Sequence, residues 1–243
     1  MRLKLISCEV FLREVCFTVA RSLHIVDLEF TPKGAHDKPD FLRGLIQDKI
    51  NQAEKSEIGY DAILLGFGLC GNSTLGLKAR KTPLVIPRAH DCCTIFLGSK
   101  EKFIEYFGNR LSSEWTSVGY LERGESYFRE LDNDILGNNR SYQELVEQYG
   151  EENAKYVWET LHPNIGINKV IYIEVPEFAS LGYAKIVEEE ARKEGKEFEK
   201  IAGDMRLIEN LVNGDWNEEE FLVLKPGEEI RAVYDHDLVV TSG

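Results

Sequence analysis

One short apolar run constrains the fold of this chain more than any other feature. Residues 62–67 read Ala-Ile-Leu-Leu-Gly-Phe, with no charged or hydrogen-bonding side chain, directly after Asp61. An almost continuous apolar run of this length is typical of a strand covered on both faces, as in a parallel sheet flanked by helices. The segments around it agree, because strand patterns alternate with helix patterns. We predict strands at residues 3–7, 24–30, 62–67 and 83–87, and helices at residues 12–22 and 39–55.

The alternation predicts an α/β fold, namely a doubly wound, mostly parallel sheet with a helical insertion in the middle. The chain has 243 residues, which suits one large domain. A polar and aromatic stretch of helical character precedes a further strand at residues 169–175 and a helix at residues 180–195. We therefore predict a single α/β domain over residues 1–243, with a mainly helical insertion at about residues 123–166.

The charge of the chain argues against two classes of partner. There are 42 acidic and 29 basic residues, and the net charge is −13. A negative surface repels phosphate backbones and anionic lipid, so we expect a small-molecule substrate rather than nucleic acid or a membrane. No apolar run approaches the ~20 residues that a membrane helix needs, so we expect a cytoplasmic location. The five cysteines should then be reduced thiols.

Soft metal ligands follow three of the predicted strands. Cys8 ends the first strand, Cys70 lies in a glycine-rich turn after the third, and His90 and Cys92 follow the fourth. The carboxyl ends of parallel strands meet at one edge of a sheet, and ligands bind at that edge in open α/β folds. The sequence therefore predicts a metal site formed by Cys8, Cys70, His90 and Cys92.

Three residues at the same edge are candidates for binding a substrate. Gly68 and Gly71 flank Cys70, and glycine allows a ligand to approach the backbone closely or the chain to take a positive φ. The alternative role for both glycines is purely structural, namely to form a tight turn in which a thiol happens to lie. Arg88 could bind a carboxylate or phosphate group through two hydrogen bonds, or it could form an ion pair with Asp91 or another acid.

His36 and Asp91 are the candidates for moving a proton. His36 follows the second predicted strand and could be an acid or base, a metal ligand or a loop residue. Asp91 precedes a predicted helix, so capping that helix is the alternative role for its carboxylate. Cys16, in the middle of a helix, and Cys93, adjacent to Cys92, are predicted to fill the core.

Three cysteines and a histidine suit two cofactors. Zinc binds Cys and His side chains and keeps one position open in catalytic sites, whereas a 4Fe–4S cluster held by three cysteines would leave one iron open. We expect a metal-dependent transferase or lyase that acts on a small molecule through zinc, with methyl- or sulfur-transfer chemistry. Two other classes stay open. One is a covalent nucleophile, Cys70 or Cys92, with a histidine base; the other is a non-catalytic protein that binds or delivers a metal or corrinoid.

The motifs taken together resemble one protein family. They are Cys8, His36 with Pro39, Gly-Leu-Cys-Gly at 68–71, Pro-Arg-x-His-Asp-Cys at 87–92, and, in the tail, Gly203-Asp204, Leu207, Gly214-Asp215-Trp216, Phe221-Leu222-Val223 and Pro226-Gly227. This pattern spans nearly the whole chain and resembles the domain-of-unknown-function 1638 family of bacteria and archaea. The resemblance implies no activity, but it implies an association with corrinoid-dependent methyl-transfer systems. We therefore consider a corrinoid methyl-transfer protein as a partner, and we also consider a homo-oligomer.

Overall fold

The computed structural model describes residues 1–107, 114–123, 151, 169–232 and 239–243, without the side chains of residues 36, 37 and 232. The insertion predicted at about residues 123–166 lies outside these ranges, apart from Arg123 and Glu151. None of the helices in the described ranges is long and apolar enough to cross a membrane.

The described ranges alternate strands and helices. The strands are β1 (Arg2–Cys8), β2 (Ile25–Thr31), β3 (Ala62–Gly66), β4 (Leu84–Pro87), β5 (Glu114–Ser117), β6 (Lys169–Glu174), β7 (Glu197–Ala202), β8 (Phe221–Leu224), β9 (Ile230–Ala232) and β10 (Val240–Ser242). The α-helices are α1 (Leu12–Val19), α2 (Pro39–Ala53), α3 (Cys92–Leu97), α4 (Lys100–Phe107), α5 (Val118–Arg123), α6 (Tyr183–Lys193) and α7 (Arg206–Asn213). Short 3-10 turns lie at Glu9–Phe11, Lys33–Asp37 and Pro176–Leu181.

The larger sheet has the strand order β2-β1-β3-β4-β8. Its first four strands are mutually parallel, and β8 pairs antiparallel with β4. β3 is buried at every residue, as its apolar sequence requires of a strand covered on both faces. Helices lie on both sides of this mostly parallel, open sheet, which confirms the predicted α/β class.

A second, smaller sheet contains the parallel strands β5, β6 and β7, in that order. Helix α6 covers one of its faces, where Val170, Tyr172, Val187 and Ala191 form a small core of their own. On the other face, Ile171 joins the main core of the protein. The sequence pattern predicted β6, but it predicted neither β7 nor the division of the strands between two sheets, because alternation does not specify which strands pair.

Two stretches differ from their sequence-based assignment. In residues 115–121, Ser and Thr between apolar residues indicate one strand by sequence, but the strand ends at Ser117 and helix α5 follows directly. The many charges of residues 187–200 indicate a solvated helix face by sequence, but α6 ends at Lys193 and the run continues into β7. Since β7 is an edge strand, its charged side chains remain partly exposed, and this explains why the run looked like a solvated helix surface.

Candidate functional site

A cavity of about 220 Å³ lies at the carboxyl ends of β1, β3 and β4. The main sheet contributes one side of it, and β5 with α5 contributes the other. The described residues that line the cavity are Cys8, Leu42, Phe67, Cys70, Gly71, Asp91, Cys92, Trp115 and Tyr120. The structure therefore brings the three predicted cysteines to one place, at the edge of the sheet where the sequence predicted a site.

The closest pair of thiols in the cavity is Cys70 with Cys92. Their Sγ atoms lie 3.7 Å apart and share a hydrogen bond. The sulfur of Cys70 also accepts hydrogen bonds from the backbone N–H groups of Gly68 and Cys92, which lower the pKa of its thiol against the opposing effect of burial. The hydrogen bond from Cys92 lowers the pKa of Cys70, whereas the same bond and burial raise the pKa of Cys92 well above its ordinary value. Of the two thiols, Cys70 is therefore the one that loses its proton more readily.

Cys8 is the third thiol of the cavity, and its environment is different. Burial raises the pKa of Cys8 to about 12, although the backbone amide of Val10 and the charge of Lys33 act in the opposite direction. The thiol is close enough to Cys70 for their charges to interact. Cys8 is therefore a protonated thiol at neutral pH when no cation is bound beside it.

The turn that carries Cys70 has an uncommon backbone. Cys70, Gly71 and Asn72 have φ angles of 44°, 62° and 69°, so three successive residues lie in the left-handed region. Only glycine takes this conformation without strain, so the backbone strain at Cys70 and at Asn72 destabilises the fold by roughly 1–2 kcal/mol each. The surrounding structure holds the turn, because Ser73 donates to the carbonyl of Cys70 and Arg43 donates to the carbonyl of Asn72 at 2.9 Å.

Backbone contacts join this turn to the segment after β4. The Leu69 amide donates to the Ala89 carbonyl at 2.8 Å, and the Cys70 amide donates to the His90 carbonyl at 3.0 Å. A Cβ atom at Gly68 would lie 2.7 Å from the backbone of Asp91, so only glycine allows this close approach. Gly68 thereby permits the two cysteine-bearing segments to meet.

Two aromatic residues of the cavity, Trp115 of β5 and Tyr120 of α5, are not among the sequence-predicted site residues. Their ring centroids are 4.8 Å apart in an edge-on arrangement. Burial and the neighbouring thiols raise the pKa of Tyr120 well above its ordinary value, and the Lys33 ammonium lies 5.1 Å from its ring centroid. No sequence signal connects these aromatics to the cysteines, because Trp115 comes from the second sheet and Tyr120 from the helix that follows its strand β5.

Asp91 and Arg88 both make structural contacts. Asp91 lines the cavity, but its carboxylate caps α3 by accepting from the amide and hydroxyl of Thr94 at 2.9 and 3.1 Å. Arg88 donates to the carbonyls of Glu218, at 2.9 Å, and Val240. These contacts favour the capping role for Asp91 and direct Arg88 towards the C-terminal strands.

The other candidate residues lie in different surroundings. The side chain of His90 is exposed, and the backbone of His36 lies in a 3-10 turn while its side chain is outside the described part of the chain. Cys93 is completely buried, in agreement with its predicted role as core filler. Cys16 was predicted to fill the core as well, and this was wrong: its side chain is exposed, because helix α1 directs that position outwards.

A comparison with protein families finds a match over most of the chain. Residues 30–212 match the family described as Protein of unknown function (DUF1638). The chain belongs to this family. The matched range includes Cys70 and Cys92 and begins after Cys8, and it confirms the resemblance inferred from the motifs. Searches of curated proteins and of solved structures found no match.

The donor set of this DUF1638 protein is chemically suited to a soft metal ion, since thiolates are ligands for zinc and for iron–sulfur clusters. Among the described residues, however, no three His, Cys, Asp or Glu side chains are grouped closely enough to hold a metal ion as they stand. Cys70 and Cys92 are close together, and Cys8 shares their cavity. Metal binding by all three would therefore require a rearrangement of side chains.

Proposed function

We propose that this DUF1638 protein is a metal-dependent enzyme acting on a small molecule, with zinc bound by Cys8, Cys70 and Cys92. A zinc site with three protein ligands keeps one position for a substrate or water. When bound, such an ion supplies Lewis-acid or thiol-activating chemistry, and we propose methyl or sulfur transfer as the class of reaction.

The observation that carries this proposal is the separation of two sulfur atoms. Two thiolates bound at ~2.3 Å to one tetrahedral zinc ion lie roughly 3.8 Å apart. The Sγ atoms of Cys70 and Cys92 are separated by 3.7 Å without any restraint from a disulfide. The pair therefore has the spacing that a single tetrahedral ion needs from two of its ligands.

Cys8 is the proposed third ligand because its thiol lies in the same cavity and interacts electrostatically with both other thiols. Its high pKa arises from burial, which the charge of Lys33 offsets only in part, and a bound divalent ion would reverse that effect by stabilising the thiolate. A rotation of the Cys8 side chain towards the pair is the rearrangement that we propose on metal binding.

The cavity also favours a small substrate with an apolar part. Its volume of about 220 Å³ suits a molecule well below drug size, and Leu42, Phe67, Trp115 and Tyr120 form apolar walls. We assign no substrate contact to Arg88, because its guanidinium group donates to backbone carbonyls. The open position of the proposed metal site would face these walls.

Metal analysis of protein purified without oxygen tests the proposal. We expect about one zinc ion per chain in the wild type, and a loss on the order of tenfold in the Cys70→Ser and Cys92→Ser variants. Cys8→Ser should reduce zinc content as well. The matched control is Cys16→Ser, which removes an exposed thiol and should leave the zinc content unchanged.

Two results would contradict the zinc site. One is a wild type that binds no zinc when reduced and supplied with it, and the other is an equal loss of zinc in all cysteine variants including Cys16→Ser. The 4Fe–4S alternative predicts iron with acid-labile sulfide instead of zinc. We favour zinc over that cluster because cysteines of a 4Fe–4S cluster bind different irons, which places their sulfurs farther apart than the 3.7 Å between Cys70 and Cys92.

A further inference from the structure

We infer that Cys70 and Cys92 also act as a dithiol pair that exchanges with low-molecular-weight disulfides and closes into a reversible internal disulfide. This activity goes beyond the proposed function because it needs no metal ion. It concerns the metal-free, reduced form of the protein, in which both sulfurs are available for bond formation.

The geometry of the pair supports bond formation. A disulfide needs an S–S distance of ~2.05 Å, so the two sulfurs, which lie 3.7 Å apart, must approach by roughly 1.7 Å. Rotations of the two side chains can supply much of this movement, and the residues belong to separate segments rather than to consecutive turns of one helix. Cys70 lies in a turn outside the sheet, and Cys92 is the first residue of α3.

Access to solvent differs between the two sulfurs, and this assigns their roles. Cys70 is half-buried at the cavity, whereas Cys92 is only 7% exposed. An incoming disulfide therefore meets Cys70 first. Cys92 lies behind it within contact distance, which is the position of a resolving thiol. The other buried thiol near them, Cys8, has no such contact with either sulfur among the described hydrogen bonds.

The exchange consists of two substitutions at sulfur. In the first, the Cys70 thiolate forms a bond to one sulfur of the small disulfide, whose S–S bond breaks and releases one thiolate. In the second, Cys92 loses its proton to solvent and bonds to Cys70, which releases the second thiolate. The protein dithiol is oxidised by two electrons, and the small disulfide is reduced to two thiols. An external dithiol reverses the reaction.

The test uses reduced, zinc-free, full-length protein and oxidised glutathione. A Cys16→Ser background removes the exposed thiol, which could otherwise react by itself. We expect about two glutathione thiols released per chain, and peptide mass spectrometry should locate a disulfide between Cys70 and Cys92. In the same background, Cys92→Ser should stop at a mixed disulfide on Cys70 with one thiol released. Cys70→Ser should slow reaction on the order of tenfold, since the accessible thiol is lost.

The inference is overturned if Cys70 and Cys92 both remain open to alkylation after oxidation, or if Cys70 pairs with Cys8 instead. The disulfide is located in protein that keeps both Cys70 and Cys92, so this measurement decides the question even if Cys70→Ser or Cys92→Ser is unstable. Zinc binding is measured separately. A chain that forms the disulfide but binds no zinc refutes the proposed function alone, and a chain that binds zinc but forms no disulfide refutes this inference alone.

Discussion

Outside the cavity, the buried carboxylate of Glu14 leads to a specific prediction about how stability depends on pH. Glu14 lies in α1, its side chain is 1% exposed, and neither carboxylate oxygen accepts a hydrogen bond from another residue in the described part of the chain. Burial raises its pKa from 4.5 to about 7, Glu122 raises it further, and the backbone amide of Glu14 and the charge of Arg13 lower it only in part. Tyr172 of β6 also interacts with this carboxylate. Burial favours the neutral form of an acid when few groups compensate its charge, so the ionisation of Glu14 opposes folding.

The sign and size of the effect follow from linkage. Below pH 4.5 the carboxyl is protonated in the folded and unfolded chains alike, and its contribution to stability is fully present. As the pH rises towards 7, the unfolded chain ionises first, so stability is lost until the folded chain ionises too. One pKa unit corresponds to ~1.36 kcal/mol, so the rise of the Glu14 pKa from 4.5 to about 7 lowers the free energy of unfolding by about 3 kcal/mol above pH 7.

The substitution Glu14→Gln keeps the shape of the side chain and removes the ionisation. We expect the variant and the wild type to have similar free energies of unfolding near pH 4. Near pH 8 the variant should be more stable by about 3 kcal/mol. Urea unfolding at both pH values, with a reductant present, measures this difference directly.

Glu188→Gln is the matched control, because Glu188 is exposed to water and its substitution should change stability little at either pH. The reasoning about Glu14 fails if Glu14→Gln changes the free energy of unfolding by the same amount at pH 4 and pH 8. Such a result would mean that the carboxylate is solvated or paired in solution.

Two further predictions concern the contacts that position the cavity. A Cβ atom at Gly119 would lie 1.6 Å from the Val10 carbonyl oxygen, so Gly119→Ala should lower the free energy of unfolding by about 2–4 kcal/mol. The control is Gly44→Ala on helix α2, where a Cβ atom would meet open space, and this variant should raise the free energy of unfolding by about 0.5–1 kcal/mol. Thermal unfolding of both variants measures the difference. A Gly119→Ala protein as stable as the wild type would show that α5 is not docked there. Asp91→Ala removes the cap of α3 and should lower the free energy of unfolding, measured with urea, by about 1 kcal/mol. Asp91→Asn keeps a capping oxygen and should lower it much less. Equal losses in the two variants would show that the negative charge of Asp91 matters instead.

Much of the main sheet could be predicted from the sequence. The apolar run of β3 requires burial on both faces, and this single requirement leads to a parallel sheet flanked by helices. The cysteines after its strands then had to meet at one edge, because all strands of a parallel sheet end on the same side. That reasoning placed Cys8, Cys70 and Cys92 together before any side-chain geometry was known.

The direction of side chains after a strand could not be predicted in this way, because it depends on the loop backbone. His90 points to solvent and Arg88 reaches carbonyls near the C-terminus, although both lie within a few residues of Cys92. The left-handed turn at Cys70 likewise depends on hydrogen bonds from Ser73 and Arg43, which come from later and earlier parts of the chain.

The sequence by itself therefore determined the α/β class, the family and the edge of the sheet where the thiols lie. Tertiary structure decided the rest. It placed Trp115 and Tyr120 against the thiols by pairing β5 with β6 in a second sheet, and it buried the Glu14 carboxylate, to which no other residue of the described ranges donates a hydrogen bond. The physical reason is that local patterns fix which segments are strands and helices, whereas pairing and packing depend on contacts between residues far apart in the chain.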